Sequence, residues 1–259
     1  MNIARIPASG PAALQYWNTK ATSYPTLAHA QAAARATRLR QLAMKMGVSF
    51  DVPTILDLGC GTGIHALPMA ELAGRVVAID LSPEMLVPLR ALAPPNLEIH
   101  ALDWAESDLD ARGWRGAFDL VWAIMTPAVG APALLAKMEA ASRGLCCAMV
   151  WGAQRHDPLL SEAFALHGVE FVAPDWSAGI ASYLKQQGRS FQFRSEPDRL
   201  RQTPTPAVLV EDLCAHLAWL GVSPDEQALA TWAAARAHDG MILREVDFDL
   251  DVWVWRAQP

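Results

Sequence analysis

No stretch of this sequence reaches the roughly 18 consecutive apolar residues that a membrane-spanning helix needs, and its first residues lack the basic segment and apolar run of a secretory signal. A membrane partner is therefore not expected, and a cytoplasmic location is. Cysteine is scarce. Of Cys60, Cys146, Cys147 and Cys214, none forms a C-x-x-C pair, and the adjacent Cys146 and Cys147 cannot make a zinc knuckle. No metal site is expected, and the thiols are read as small apolar residues of a reduced compartment. Basic residues are outnumbered, with 21 Lys and Arg against 27 Asp and Glu and a net charge of −6. Phosphate contacts need clustered Lys and Arg, so no nucleic-acid partner is expected. No internal repeat is visible. What the 259 residues do hold is apolar material, 52 % of the chain, enough for one α/β domain with a sizeable core.

One stretch organises the rest: Ile55-Leu56-Asp57-Leu58-Gly59-Cys60-Gly61-Thr62-Gly63. An apolar strand runs into three glycines at every second position, and a helical pattern from about Gly63 to Leu72 follows. Strand, glycine turn and helix form the first unit of a doubly wound sheet, whose ligands bind at the carboxyl ends of the strands. The spacing departs from the dinucleotide fingerprint G-x-G-x-x-G/A. The third glycine comes one residue early, and Ile64 occupies the position that should be small. Asp57 stands two residues before the first glycine, where a carboxylate would repel a pyrophosphate and favour a cationic group. S-adenosylmethionine has an ammonium, a cationic sulfur and no phosphate. At these residues the chain resembles the class I S-adenosylmethionine-dependent methyltransferases, whose first motif is similar to Asp57-Leu58-Gly59-Cys60-Gly61-Thr62-Gly63. The plainer alternative is a glycine-rich turn that binds nothing.

The next two strand ends carry further acids. Arg75 to Ile79 is an unbroken apolar strand ending in Asp80, at about the distance from the first glycine where a ribose-binding carboxylate belongs. Ser82 before Pro83 is the better cap for the following helix, which leaves Asp80 free for a ligand. Asn96 to Ala101 is a third strand, followed by Asp103 and Trp104. The resemblance implies that Asp80 binds the ribose, that Leu81 and Met85 flank the adenine, and that Asp103 and Trp104 complete its pocket. With Asp57, Gly59, Gly61 and Gly63 these are the expected cofactor contacts, and S-adenosylhomocysteine the expected product. Leu81 and Met85 read equally as core.

Phe118-Asp119-Leu120-Val121 looks like the family's fourth strand. The Asn/Asp-Pro-Pro-aromatic motif of enzymes that methylate exocyclic amino groups is missing after it; Ile124-Met125-Thr126-Pro127 stands there instead. Thr126 is expected to face the transfer region or to start a helix. Leu145 to Trp151 is strand five, and the loop after it carries His156, the best-placed histidine for general base work. Before the sheet, Pro7, Gly10 and Pro11 make the start irregular. Ala12–Lys20 and Leu27–Met46 read as helices, and the cationic residues Arg35, Arg38, Arg40 and Lys45 of the second read as a solvated face, with an anion or partner site as the alternative. In the resembled family such a segment folds over the cleft, so Tyr16, Trp17 and Tyr24 either meet ligand or pin the helices. Ten tryptophans, Trp17, Trp104, Trp122, Trp151 and Trp176 among them near expected cleft edges, point to an apolar or aromatic small-molecule acceptor, with Trp17, Tyr24, Thr126 and Trp151 as its expected contacts.

The expected fold is a doubly wound seven-stranded, mostly parallel sheet with an antiparallel last strand: a helical cap over 1–50, a core over 51–203 and 241–259, and a helical insertion over 204–240. Strand six is expected from Ser190 to Arg194, and the last strand from Asp247 to Trp255 with its acids toward solvent. The expected activity is methyl transfer from S-adenosylmethionine to a small acceptor. A non-catalytic S-adenosylmethionine-binding module and a nicotinamide-dependent oxidoreductase are the rival readings.

Overall fold

The computed structural model describes residues 9–258, so Pro7 lies outside the described residues. Seven strands form one sheet: β1 Thr54–Leu58, β2 Arg75–Asp80, β3 Leu97–Ala101, β4 Phe118–Ile124, β5 Ser142–His156, β6 Phe191–Gln202 and β7 Arg244–Arg256. Their order is β3-β2-β1-β4-β5-β7-β6. β7 pairs antiparallel with both β5 and β6, and the remaining pairs are parallel. The order reverses between β1 and β4, so a crevice opens beside the end of β1. β2 carries four consecutive buried apolar side chains, Val76 to Ile79, and β1 buries Ile55, Leu56 and Leu58, because helices cover both faces.

Two apolar layers sandwich the sheet. Leu39, Leu42, Met69, Leu120 and Trp122 lie in one; Leu56, Val121, Leu135, Met138 and Trp255 lie in the other. In the second layer Glu139 is buried but fully engaged. It accepts from Tyr183 Oη (2.7 Å), Arg189 Nε (3.0 Å) and Trp255 Nε1 (3.0 Å). One carboxylate thus ties α5 (Pro132–Ala141) and α7 (Trp176–Gln186) to β7.

Several elements differ from their sequence expectations. Gly10 and Pro11 do not make the start irregular: α1 runs Gly10–Ala21 with the proline in its first turn, where its missing N–H costs nothing. α3 (Ala66–Ala70) and α4 (Val87–Leu92) start later than their patterns predict, because tight turns occupy the residues after Gly63 and Ser82. β6 continues through Pro197 to Gln202. It is the edge strand, so the proline forfeits no ladder bond, and its alternating charges discourage pairing with another chain. β7 shows one solvent-facing side only in its first half; Asp251 is buried with the aromatic half, so its acids do not all face water. The cationic face of α2 (Ala30–Lys45) is not simply solvated. Arg35 and Arg38 both pair with Asp198 on β6, at 2.8 and 2.6 Å, and clamp the helix to the far edge of the sheet.

A third apolar cluster lies outside the sheet. α6 (Pro158–Leu166), α8 (Pro206–Trp219) and α9 (Glu226–Ala234) bury Leu160, Phe164, Leu213, Leu217, Leu229 and Trp232 against one another. α1 docks on α8: Tyr16 stacks on Trp219 at 4.0 Å, and its hydroxyl is 2.9 Å from His216 Nε2. Segments from the two ends of the chain therefore meet on the carboxyl side of the sheet. No helix among the described residues is long and apolar enough to cross a membrane.

Gly63 holds φ +81°, and a Cβ there would lie 2.2 Å from Leu89 Cδ1 on α4. Gly63→Ala is expected to cost about 2–5 kcal/mol, from left-handed strain plus overpacking. Urea unfolding checks it: the midpoint should fall with the slope unchanged, and a shift worth under about 0.5 kcal/mol would contradict the packing described.

Candidate functional site

At the carboxyl ends of β1, β2 and β4 a cleft is lined by Trp17, Tyr24, Gly59, Gly61, Asp80, Leu81, Met85, Asp103, Trp104 and Thr126, together with Ile79, Leu102, Ile124, Met125, Pro127 and Ala128. Sequence reasoning named all of the first group. Each is delivered by a strand end or the turn after it. The exceptions are Trp17 and Tyr24, which descend from the cap. Tyr16 faces away, toward α8, and pins the helices.

The glycine turn is shaped by close approaches. Gly59 (φ +67°) leaves room for the Thr126 side chain, whose Oγ1 a Cβ would meet at 2.2 Å, and Gly61 (φ +54°) faces the Tyr24 ring. Thr126 has both of its expected roles. It lines the cleft, and its Oγ1 accepts from the Ala128 N–H at 3.2 Å, capping the short turn Pro127–Val129. The residue before it, Met125, holds φ +50°. A non-glycine residue in that region stores strain of about 1–3 kcal/mol, and such residues cluster at functional sites. Nothing in the sequence marks Met125 for this.

The carboxylates are engaged unequally. Asp80 is not free: Oδ2 accepts from the Gly61 N–H at 2.8 Å and Oδ1 from the Ser82 N–H at 2.9 Å. Ser82 does cap its turn, accepting from the Met85 N–H at 3.1 Å. Each Asp80 oxygen keeps a second lone pair for a ligand. Burial raises its pKa, partly offset by those two N–H bonds. Asp103 Oδ1 accepts from the Ala105 N–H at 2.9 Å, and Oδ2 from the Gly10 N–H at 3.1 Å, tying the start of the cap to the pocket. Two more bonds hold the cap down: Ser82 Oγ donates to Asn18 Oδ1 (2.6 Å) and Thr62 Oγ1 to the Pro25 carbonyl (2.7 Å). Asp57 and Gly63 do not line the cleft surface; they lie behind it. Asp57 Oδ2 is buried without a partner, and burial with the neighbouring Asp80 charge lifts its pKa to about 8. Among the described residues no cluster of His, Cys, Asp or Glu could hold a metal ion.

Two expected residues are elsewhere. His156 is not in a loop over the cleft. It is the exposed last residue of β5, opposite Asp247 on β7, and does not line the cleft. The strand continues past Trp151 through a bulge, since the step from Trp151 to Arg155 on β5 spans only Leu250 to Phe248 on β7. That bulge sends His156 outward and Arg155 inward. Trp151 lies beside the cleft without lining it, stacked on Trp176 at 5.9 Å. The Trp176 indole nitrogen in turn packs against Gly130.

Sheet order, the reversed last strand and the glycine turn define the fold of class I S-adenosylmethionine-dependent methyltransferases. Residues 55–145 match a family model described as a methyltransferase domain. The chain is 32 % identical over 127 residues, 46 % of each chain, to the ubiquinone biosynthesis O-methyltransferase of Methylocella silvestris. It is 34 % identical over 74 residues, 27 % of this chain and 30 % of that protein, to magnesium-protoporphyrin O-methyltransferase of Rhodobacter capsulatus. The chain thus matches less than half the length of these curated relatives. A candidate methyltransferase from Bacillus halodurans superposes with TM-score 0.55 at 16 % identity, over 87 % of this chain and 100 % of that one. The YcgJ protein of Bacillus subtilis gives 0.53 at 11 % identity, over 89 % and 100 %. At these identities the structural likeness is one of fold. Residues 55–145 are thus similar to a methyltransferase domain, and the sheet around them has the methyltransferase fold.

The Asp57 shift has a consequence for stability. Its folded pKa is raised, so between about pH 4, where an unfolded carboxyl titrates, and about pH 8 the folded chain keeps a proton the unfolded chain has lost. Stability from this group is full below pH 4 and is lost as pH rises through 8. Asp57→Asn should therefore raise the melting temperature of the ligand-free protein more at pH 8.5 than at pH 5. Scanning calorimetry at the two pH values tests this; an equal change at both would contradict the assigned shift.

Proposed function

We propose that this chain binds S-adenosylmethionine in the cleft and transfers its methyl group to a small-molecule acceptor with an apolar or aromatic body. The observation that carries the reading is the row of acids at three successive strand ends, Asp57, Asp80 and Asp103, around a glycine turn without dinucleotide spacing. The buried, unpartnered Asp57 Oδ2 is an orphan that a cationic amino group would satisfy. Asp80, already fixed by two backbone N–H groups, would accept from ribose hydroxyls through its remaining lone pairs. Leu81, Met85 and the buried Trp104 offer the apolar slot an adenine needs, with Asp103 at its edge.

When bound, the cofactor supplies a methyl carbon already activated by a cationic sulfur. The chain's own task is then placement. It must hold an acceptor atom in line in a dry pocket, a contribution of roughly 7–11 kcal/mol when geometry is good. Thr126, the strained Met125 and Trp17 also wall the cleft. No histidine lines the cleft among the described residues, so an acceptor needing deprotonation would lose its proton to another group or to water.

Asp80→Asn keeps the shape of the side chain and removes its charge. It should weaken binding of S-adenosylhomocysteine by about 10- to 100-fold, the equivalent of one or two charge-assisted hydrogen bonds, measured by isothermal titration. An unchanged affinity would remove Asp80 from the site. Transfer of labelled methyl from S-adenosylmethionine into an extract fraction separates an enzyme from a binding module: tight binding with no labelled product would favour the module.

A further inference from the structure

Asp103 stands at the head of a stretch with no ladder of its own to hold it. β3 ends at Ala101, β4 begins at Phe118, and the residues between them form neither helix nor strand. Asp103 lines the cleft, and its Oδ1 accepts from the Ala105 N–H at 2.9 Å. That N–H belongs to the peptide unit joining Trp104 to Ala105. The other end of the same unit, the Trp104 carbonyl, accepts from Lys137 Nζ at 2.6 Å. The Lys137 ammonium also donates to the Ala105 carbonyl at 3.0 Å and lies 5.1 Å from the centre of the Trp104 ring, within cation–π range. Ser107 Oγ adds a bond to the Trp104 carbonyl at 2.9 Å. Lys137 sits on α5, whose Leu135 and Met138 are buried in the second apolar layer. The turn after β3 is thereby tied to a helix that the core holds in place.

A trans peptide is planar and points its C=O and N–H in opposite directions. Lys137, the Trp104–Ala105 peptide and Asp103 therefore form one line: ammonium, carbonyl, N–H, carboxylate. A charge on the carbonyl polarises the unit and strengthens the bond made at its other end. Two carbonyls held by one ammonium also fix the plane of the turn, and with it the direction from which Asp103 Oδ1 is held. Partial burial draws the Lys137 pKa down, while the acids Glu106, Asp103 and Asp108 act the other way. Lys137 does not line the cleft, so its effect on a ligand passes through Asp103 and Trp104, which do. We propose that Lys137 is a positioning residue for the adenine slot: through the Trp104–Ala105 peptide it sets the Asp103 carboxylate to accept from the exocyclic amino group, and so lets the cleft prefer adenine over hypoxanthine. Hypoxanthine carries an oxygen where adenine carries that amino group, and an oxygen facing a carboxylate has no proton to share. This inference rests on the S-adenosylmethionine reading of the cleft, and it gives Lys137 no part in the chemistry.

The test uses the full chain and two probes, S-adenosylhomocysteine and S-inosylhomocysteine, titrated by calorimetry. The wild-type protein should bind the adenine compound at least about tenfold tighter, the worth of one hydrogen bond to a charged acceptor. Lys137→Met should narrow that preference by about threefold or more. In an Asp103→Asn background the same substitution should change the preference less than about twofold, because the carboxylate it orients is gone. If Lys137→Met does not fold, Lys137→Gln takes its place, keeping a donor without the charge. An equal loss of affinity for both compounds would mark Lys137 as a structural tie alone and overturn the assignment. A preference left intact by the substitution, or narrowed equally with and without Asp103, would overturn it as well, and so would a wild-type protein that binds the two compounds alike. Failure of S-adenosylhomocysteine itself to bind would instead strike the reading of the cleft, and this inference with it.

Discussion

The Asp80 carboxylate joins two backbone turns, and the geometry of the cleft depends on it. One oxygen fixes the Gly61 N–H in the turn after β1, and the other fixes the Ser82 N–H in the turn after β2. Each bond is to a charged acceptor and so is stronger than a neutral one. Together they set where Gly59 and Gly61 present bare backbone, and where Leu81 and Met85 turn into the pocket. Burial alone disfavours the charge on Asp80. The two N–H donors favour it, and the acid stays ready to accept from a ligand as well.

Around that anchor the molecule divides its work. The parallel half of the sheet supplies the strand ends that line the cleft. The antiparallel half, β5 with β6 and β7, runs beyond them and carries the helical cluster of α6, α8 and α9. The cap closes the space between them. It is tied to the turns after those strands through Gly10, Asn18 and Pro25, and to α8 through Tyr16. A ligand entering the cleft therefore meets groups from the cap as well as from the strand ends, and displacing the Gly10 contact on Asp103 would couple occupancy of the cleft to the position of the cap.

The lining of the cleft is legible in the sequence because its signals are local. Glycine spacing, Asp57, Asp80 and Asp103 each sit within a few residues of a strand end, and strands buried on both faces announce themselves as apolar runs. Asp80 differs from its sequence expectation only in being already bonded to two N–H groups, since a motif does not reveal which backbone donors a carboxylate meets. The acceptor side was not legible. A two-residue bulge between Trp151 and Arg155 decides which neighbour faces inward, and no residue pattern encodes it, so the sequence points to a loop histidine where the structure has His156 at the exposed end of β5. Arg35 and Arg38 looked like a solvated face because their partner, Asp198, lies over 150 positions away, on an edge strand that Pro197 seemed to end. The left-handed backbone at Met125 likewise has no signal in the sequence.

On the proposed reading, the three acids Asp57, Asp80 and Asp103 hold the ends of one S-adenosylmethionine molecule around the glycine turn. A crystal structure of the protein with S-adenosylhomocysteine tests it most directly. The account predicts both ribose hydroxyls within hydrogen-bond distance of Asp80, the amino group on the Asp57 side of the turn, and the adenine between Met85 and Trp104. A ligand seated with its ribose away from Asp80, or lying outside this cleft, would contradict it.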